Sequence, residues 1–200
     1  MIRVVDLHKT FGRQHVLRGV NLELEAGKIT TIIGGSGSGK TVLLKHLNAL
    51  LLPDCGSVFV GDRDITQLSQ TALNEVRRKF GVLFQGAALL DSMTIHDNVA
   101  FPLRETTKLK ETEIEKKVDE SLAQVGLAGA GYKFPAEVSG GMKKRAGLAR
   151  ALVVKPEIML FDEPTTGLDP LLGKSIHQLI RKMHATHKFT GIVVSHDIPE

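Results

Sequence analysis

A glycine-rich segment, residues 34 to 41, holds the residue types that bind phosphate. Its sequence is Gly34-Gly35-Ser36-Gly37-Ser38-Gly39-Lys40-Thr41. Glycines lack Cβ atoms, so this backbone is able to wrap a polyphosphate, and a helix that starts here adds partial positive charge. Lys40 would reach the β and γ phosphates, and the Thr41 hydroxyl would help to coordinate a magnesium ion that bridges them. The segment therefore predicts a Mg-nucleotide site.

The residues on either side of this loop favour the same interpretation. An apolar, β-branched run at residues 30–33 precedes the loop, and the apolar residues 42–44 follow it. A phosphate loop requires this order of strand, loop and helix. The alternative is a flexible linker that matches by chance, but a linker rarely lies between a strand and a helix.

Two adjacent carboxylates follow a second apolar run. Residues 158–161 lead into Asp162 and Glu163. Asp162 would anchor the magnesium ion beside Thr41, and Glu163 would polarise a water molecule for attack on the γ-phosphate. The alternative is that the two acids are helix caps or surface charges, since Pro164 makes a turn plausible there.

A second glycine pair marks another helix start. Ser139, Gly140 and Gly141 come directly before a helical pattern that contains Lys143, Lys144, Arg145 and Arg150. The serine and the glycine amides could grip a γ-phosphate, but the chain already has one phosphate loop. We therefore expect this surface to face the nucleotide of another subunit. The alternative is an ordinary serine N-cap followed by flexible glycines.

The surrounding patterns predict the elements that position these groups. Strand-like runs at residues 3–7, 16–24 and 57–60 surround the strand before the phosphate loop and suggest a mixed sheet. Runs at residues 80–84, 158–162 and 191–195 are typical of a parallel α/β sheet. Between residues 85 and 151, apolar residues repeat at helical spacing, which predicts a helical insertion.

Composition limits the class of protein. The chain has 200 residues, of which 42% are hydrophobic, and 26 basic against 22 acidic residues give a net charge of +4. That charge is too small to indicate a nucleic-acid partner. The single cysteine, Cys55, excludes an internal disulfide and suits a reducing compartment. No apolar run approaches the ~18 residues of a membrane span, so we expect a soluble, cytoplasmic chain.

The order of these motifs resembles that of the ATP-binding cassette ATPases along essentially the whole chain. The resemblance implies a P-loop NTPase (RecA-like) α/β fold, with a parallel sheet core, an antiparallel β-subdomain and an inserted helical subdomain. It implies one cassette over residues 1–200, with the core and β-subdomain at about 1–85 and 151–200 and the helical subdomain at about 86–150. ATP and Mg²⁺ are the implied cofactors.

Further residues gain roles from this resemblance alone. Phe11 resembles the aromatic that stacks on adenine, and Gln85 resembles the glutamine that senses magnesium and water. His196 resembles the histidine that contacts the γ-phosphate, and Asp169 resembles a residue of the dimer interface. Individually each has an ordinary alternative: Phe11 in the core, Gln85 as a cap, Asp169 as a cap before Pro170, and His196 simply buried.

A closer resemblance, to the Mla and Mce-associated ATPases, rests on residues 84–94 and 98–105. Met142 after the glycine pair, and residues 162–170, are also similar to those proteins. The resemblance implies a homodimer that drives phospholipid movement between Gram-negative membranes, or uptake of other lipids, from the cytoplasmic face of the inner membrane. It implies permease partners that dock on residues 86–105, and a membrane-anchored MCE-type lipid-binding subunit. The apolar residues of that segment are alternatively core.

Two departures from the cassette pattern stand out. The chain stops at Glu200, four residues after His196, where such ATPases continue, so we expect that its C-terminal end is missing. Gly35 stands where many relatives have proline, which leaves the other glycines of the loop intact.

Other functions remain open at this stage. A cassette protein of DNA repair or of the ribosome usually has a long coiled coil or two tandem cassettes, and this chain has neither. A switch GTPase or a small-molecule kinase leaves the residues 139–141 unexplained. Within transporters, the alternative is an importer of a small polar solute.

Overall fold

The computed structural model describes residues 1–196, which contain eight strands and six α-helices. The strands are β1 (Ile2–Phe11), β2 (Gln14–Leu24), β3 (Ile29–Ile33), β4 (Cys55–Val60), β5 (Arg63–Asp64), β6 (Phe80–Leu83), β7 (Ile158–Asp162) and β8 (Thr190–Ser195). The helices are α1 (Lys40–Leu47), α2 (Gln70–Arg77), α3 (Ile95–Thr106), α4 (Glu111–Gln124), α5 (Gly140–Leu152) and α6 (Pro170–His187).

The strands form two separate sheets. One sheet has the order β2-β1-β4-β5 with antiparallel pairs, and the other has the order β3-β8-β7-β6 with parallel pairs. The expectation of one mixed sheet in the first sixty residues is wrong, because β3 pairs with β8 rather than with its neighbours in sequence. The α/β fold with a parallel core and an antiparallel β-subdomain is confirmed.

Strand β7 separates two hydrophobic clusters. Met159 and Phe161 pack with α3, α4, α5 and α6, whereas Ile158 and Leu160 pack with α1 and the antiparallel sheet. The alternation follows from the two-residue period of a strand, and every residue of β7 is buried. The predicted helical insertion is present as α3, α4 and α5, which lie between β6 and β7.

The parallel sheet collects the candidate residues at one edge. Ile33 at the end of β3 pairs with Ser195 of β8, and Asp162 at the end of β7 pairs with Val194. Parallel strands share the direction of their carboxyl ends, and ligands bind at that edge of such sheets. The loop after β3, Glu163 after β7 and Gln85 after β6 therefore meet there. No helix among residues 1–196 has the length and apolar character that a membrane crossing requires.

Candidate active site

The loop at residues 34–39 wraps around Lys40, the first residue of α1. Lys40 is buried, and its ammonium donates hydrogen bonds to the carbonyl oxygens of Gly34 at 2.7 Å and Gly35 at 3.0 Å. Gly39 has φ 92°, and a Cβ there would lie 2.9 Å from Cγ1 of Val16. A side chain at Gly39 would therefore be strained in its backbone and crowded by strand β2.

A cavity of about 340 Å³ opens above this loop. It is lined by residues 36–42, Val16, Gln85 and Glu163. The structure thus brings the glycine loop, the glutamine after β6 and the carboxylate after β7 to one space. Lys40 Nζ lies 3.8 Å from Glu163 Oε1, so a cation and an anion face each other across it.

Thr41 and Asp162 meet at the base of the site. The Thr41 hydroxyl donates to Asp162 Oδ1 at 2.8 Å, and Asp162 is 8% exposed. Hydroxyl and carboxylate oxygens are donors that Mg²⁺ accepts. No group of three histidine, cysteine, aspartate or glutamate side chains that could hold a metal occurs within the described residues. The donor set therefore fits an ion that keeps most of its ligands as water or phosphate oxygens.

Glu163 is held by several neighbours at once. Its φ is 45°, and its amide donates to the carbonyl of Val194 at 3.0 Å. Its Oε2 accepts from Gln85 Nε2 at 3.3 Å and from the Thr166 hydroxyl at 2.9 Å, and it lies 3.5 Å from His196 Nδ1. Left-handed backbone at a residue with a Cβ is a form of strain that clusters at functional sites. The carboxylate is therefore oriented by both its backbone and its partners.

Thr166 and Lys144 are contacts that the sequence interpretation missed. Lys144 is buried, and its ammonium donates to the carbonyl oxygens of Gln85 and Glu163. Burial lowers the pKa of Lys144, while the charges of Asp162 and Glu163 act in the opposite direction. The position of Thr166, three residues after Glu163, is a weak signal in the sequence; no sequence signal distinguishes Lys144 from the basic residues beside it.

The remaining candidates lie outside this cavity. Phe11 is 46% exposed at the end of β1, so it is not a core residue, and the Lys9 ammonium lies 5.7 Å from its ring centroid. Ser139 is the N-cap of α5 and accepts from the Met142 amide, and Asp169 is the N-cap of α6 and accepts from the Leu172 amide at 3.0 Å. His196 is not buried, since 43% of its side chain is exposed.

Comparison with known proteins gives consistent matches. The family model described as ABC transporter matches residues 17–166. The probable ribonucleotide transport ATP-binding protein mkl of Mycobacterium tuberculosis is 50% identical over 197 residues, which are 98% of this chain and 55% of that protein. The chain thus spans about half the length of these mycobacterial relatives.

Two further matches cover more of the compared protein. The intermembrane phospholipid transport system ATP-binding protein MlaF of Haemophilus influenzae is 44% identical over 200 residues, which are 100% of this chain and 76% of that protein. A dimeric structure of the ATP-binding cassette MJ0796 in a post-hydrolysis state, bound to ADP and Pi, superposes with a TM-score of 0.90 at 32% identity. That match covers 98% of this chain and 88% of the solved chain.

Proposed function

This chain belongs to the ABC transporter family, and from that premise we propose that it is the ATP-hydrolysing subunit of a lipid transporter. The proposal rests on the cavity that Lys40, Thr41 and Glu163 line, with Asp162 hydrogen-bonded to the Thr41 hydroxyl at its base. A buried cation, an oxygen donor pair and an oriented carboxylate are the groups that phosphoryl transfer to water requires.

In this proposal the residues divide the chemistry of ATP hydrolysis. Lys40 and the amides of residues 34–39 bind the β and γ phosphates, while Phe11 stacks on adenine. Thr41, Asp162 and Gln85 would hold Mg²⁺, which offsets the phosphate charge when bound. Glu163 accepts a proton from water as the water oxygen bonds to the γ-phosphorus and the bond to ADP breaks. His196 contacts the γ-phosphate and, with Gln85 and Thr166, orients the carboxylate.

The nucleotide is shared between two copies of the chain. Ser139 and Gly140 are exposed at the start of α5, where helix amides are able to receive a phosphate. Ser139, Gly140 and Gly141 of one copy would face Lys40 of the other, with Asp169 at the interface. The dimeric state of the cassette MJ0796 supports this arrangement. Closure and opening of the dimer would then transmit hydrolysis to the transporter.

The cargo is proposed from the relatives. MlaF of H. influenzae, named for intermembrane phospholipid transport, is similar along this entire chain. We accordingly place the protein at the cytoplasmic face of the inner membrane, with permease subunits and a membrane-anchored MCE-type subunit as partners.

A groove is available for the permease. It has a volume of about 700 Å³, and Pro102 and Leu103 of the segment 86–105 line it together with Arg77 of α2 and Val153. Five apolar residues of the segment are buried in the core, namely Ala87, Ile95, Val99, Ala100 and Leu103, whereas Leu90 and Phe101 are 41% and 39% exposed. We propose that the groove lies between a core that comprises residues 1–85 and 151–200 and a helical subdomain at 86–150.

Substitution of Glu163 tests the chemistry. The Glu163→Gln variant should bind ATP as the wild type does but hydrolyse it about 100-fold or more slowly, because the amide cannot accept the proton. Glu157→Gln removes an exposed carboxylate that pairs with Lys79 and is the matched control, with unchanged hydrolysis. Full turnover by Glu163→Gln would contradict the assigned role.

The cargo requires a separate experiment. The full-length protein is captured from detergent-solubilised native membranes, and bound proteins and lipids are identified by mass spectrometry. A permease, an anchored lipid-binding subunit and phospholipid would support lipid transport. A permease with a polar solute and no lipid would overturn the cargo and leave the ATPase assignment intact; the name of the mycobacterial relative makes a ribonucleotide the solute to assay first.

A further inference from the structure

The short segment 85–88, which lies between β6 and α3, has a strained backbone. Ala87 has φ 60° and Ala88 has φ 48°, so two consecutive residues that carry Cβ atoms adopt left-handed backbone. This conformation is unfavourable for L-residues other than glycine and normally occurs at single positions. Such strain persists only when the surrounding structure enforces it.

Arg150, near the end of α5, contacts both strained residues. One terminal nitrogen of its guanidinium donates to the Ala88 carbonyl at 2.7 Å, and the other donates to the Ala87 carbonyl at 2.6 Å. The planar guanidinium fork suits two adjacent acceptors, so both carbonyls are fixed by one side chain. Charge-assisted hydrogen bonds of this kind are stronger than neutral ones.

Lys144, which precedes Arg150 on α5, contacts the start of the segment. Its ammonium donates to the carbonyl of Gln85 and lies 3.4 Å from the carbonyl of Glu163. The Gln85 side chain, in turn, donates to the Glu163 carboxylate at 3.3 Å. One buried cation therefore ties the backbone of the water-sensing glutamine to the backbone of the proposed base.

The face of α5 between these two cations lies directly against the segment. Gly147 is three residues from each of Lys144 and Arg150, which puts all three on one side of the helix. A Cβ at Gly147 would lie 3.1 Å from the Ala87 Cβ and 2.9 Å from Leu83 Cδ1. Glycine here allows the close approach that both hydrogen-bonded contacts need.

We propose that Lys144 and Arg150 form a carbonyl clamp, defined as their hydrogen bonds to the carbonyls of residues 85, 87 and 88, which positions Gln85 for ATP hydrolysis. The clamp holds the segment in its strained turn and so keeps the Gln85 amide at Glu163. Since Ser139 is the N-cap of α5, the clamp also links the surface offered to a second copy with the water-activating pair. This inference rests on the proposed ATPase function and names positioning residues for it.

The first test replaces Arg150 with methionine, which retains most of the apolar stem and removes the donors. The turnover number of the full-length protein should fall about 10-fold, while KM for ATP stays within about twofold, because Gln85 is misplaced and the phosphate loop is not. Arg145→Met is the matched control. Arg145 also donates to a backbone carbonyl from α5, that of Val125 at 2.9 Å, so its loss should lower stability without lowering turnover.

The second test uses glycine to remove the backbone strain at residue 88, so that the turn no longer depends on the clamp. Ala88 is exposed, and glycine adopts its φ without penalty, so Arg150→Met/Ala88→Gly should recover about threefold of the lost turnover. Conversely, Ala88→Val alone, with every donor of the clamp in place, should lower turnover about threefold, because a β-branched residue disfavours this backbone. Ala88→Val carries the test if Arg150→Met does not fold.

The outcomes separate the two proposals. Wild-type turnover in Arg150→Met, or no recovery on adding Ala88→Gly, overturns the clamp while the ATPase assignment stands. An equal loss in Arg145→Met and Arg150→Met, in step with their melting temperatures, also overturns it. A wild-type protein that does not hydrolyse ATP refutes the proposed function itself.

Discussion

The starts of α1 and α5 are both glycine-containing helix N-termini, and they differ in what surrounds them. At α1 the N-cap is Gly39 with no side-chain cap, and Lys40, Thr41 and Glu163 border one cavity. At α5 the N-cap is Ser139, whose hydroxyl oxygen already accepts from the Met142 amide. At the α1 start, a cation, a hydroxyl and a carboxylate of the same chain surround one cavity, whereas the α5 start offers exposed backbone at Ser139 and Gly140.

The surface beside the start of α5 exposes apolar side chains. Leu171 and Leu172 of α6 are 81% and 41% exposed, and Leu172 lies 3.8 Å from where a Cβ on Gly141 would be. Apolar side chains at such a rim are more favourable when a second surface covers them. We infer that a glycine-containing helix start binds phosphate only when counter-groups surround it, in the same chain or in a second copy.

The largest effect on ATP hydrolysis is expected from substitutions that disable each helix start separately. Lys40→Ala should lower ATP affinity and hydrolysis about 100-fold or more, since it removes the buried cation at the α1 start. Ser139→Arg should leave ATP binding by the isolated chain within about threefold and lower hydrolysis about 100-fold, because it blocks only the surface for the second copy. Equilibrium ATP binding and steady-state hydrolysis separate the two effects.

A matched control exists for the serine. Ser69 is also exposed, and its side chain likewise caps a helix, α2, through the Ala72 amide. Ser69→Arg should therefore retain hydrolysis. Equal losses of ATP binding in Lys40→Ala and Ser139→Arg would mean that both helix starts serve the same nucleotide within one chain.

A smaller effect sharpens the description of the α1 site. Thr41→Val keeps the shape of the side chain and removes the hydroxyl that donates to Asp162. Hydrolysis should fall about 10-fold, and the Mg²⁺ concentration needed for half-maximal rate should rise, because one oxygen ligand is lost. Thr41→Ser retains the hydroxyl and should stay near the wild type. A Thr41→Val protein with an unchanged Mg²⁺ dependence would remove Thr41 from the ion's ligands.

The smallest effect concerns stability at the far end of α1. His46 is 1% exposed and bonds through Nδ1 to the Val42 carbonyl. Burial lowers its pKa from the ordinary 6.5; the charge of Lys9 lowers this pKa further, whereas the charge of Asp54 raises it. Below that ordinary value the unfolded chain binds a proton that the folded chain resists, so stability falls as the pH drops. The melting temperature should therefore fall between about pH 7.5 and about pH 5.5.

Two variants isolate this contribution. His46→Asn should show a smaller fall in melting temperature over the same range, since the buried titrating group is gone. His15→Asn, which alters an exposed histidine of β2, should retain the wild-type fall. The same fall in all three proteins would assign the pH dependence to other groups, such as His177, whose pKa burial also lowers.

The sequence predicted most of the parallel core and most of the residues that meet at its edge. Buried apolar runs mark β7 and β8 because parallel strands are covered on both faces, and the glycine loop with Lys40 and Thr41 has a spacing that few other sites use. The mixed sheet was wrong for a physical reason: β3 pairs with β8, which lies more than a hundred residues away, and no local pattern records that pairing.

The contacts made by α5 could not be predicted in the same way. Lys143, Lys144, Arg145 and Arg150 form a basic run in the sequence, and nothing in the run shows which cations are buried against the segment 85–88. Burial of a charge depends on acceptors supplied by tertiary structure, here backbone carbonyls of a strained turn. The positive φ values of Ala87 and Ala88 were likewise invisible, since alanine gives no hint of left-handed backbone.

We propose that each nucleotide site combines the α1 start of one copy with the α5 start of another. The direct measurement mixes full-length Lys40→Ala with full-length Ser139→Arg and follows single-turnover ATP hydrolysis. Half of the dimers would be mixed, each with one complete site of two, so about a quarter of the wild-type activity should return although neither variant is active alone. A mixture no more active than the two variants measured separately would contradict the claim.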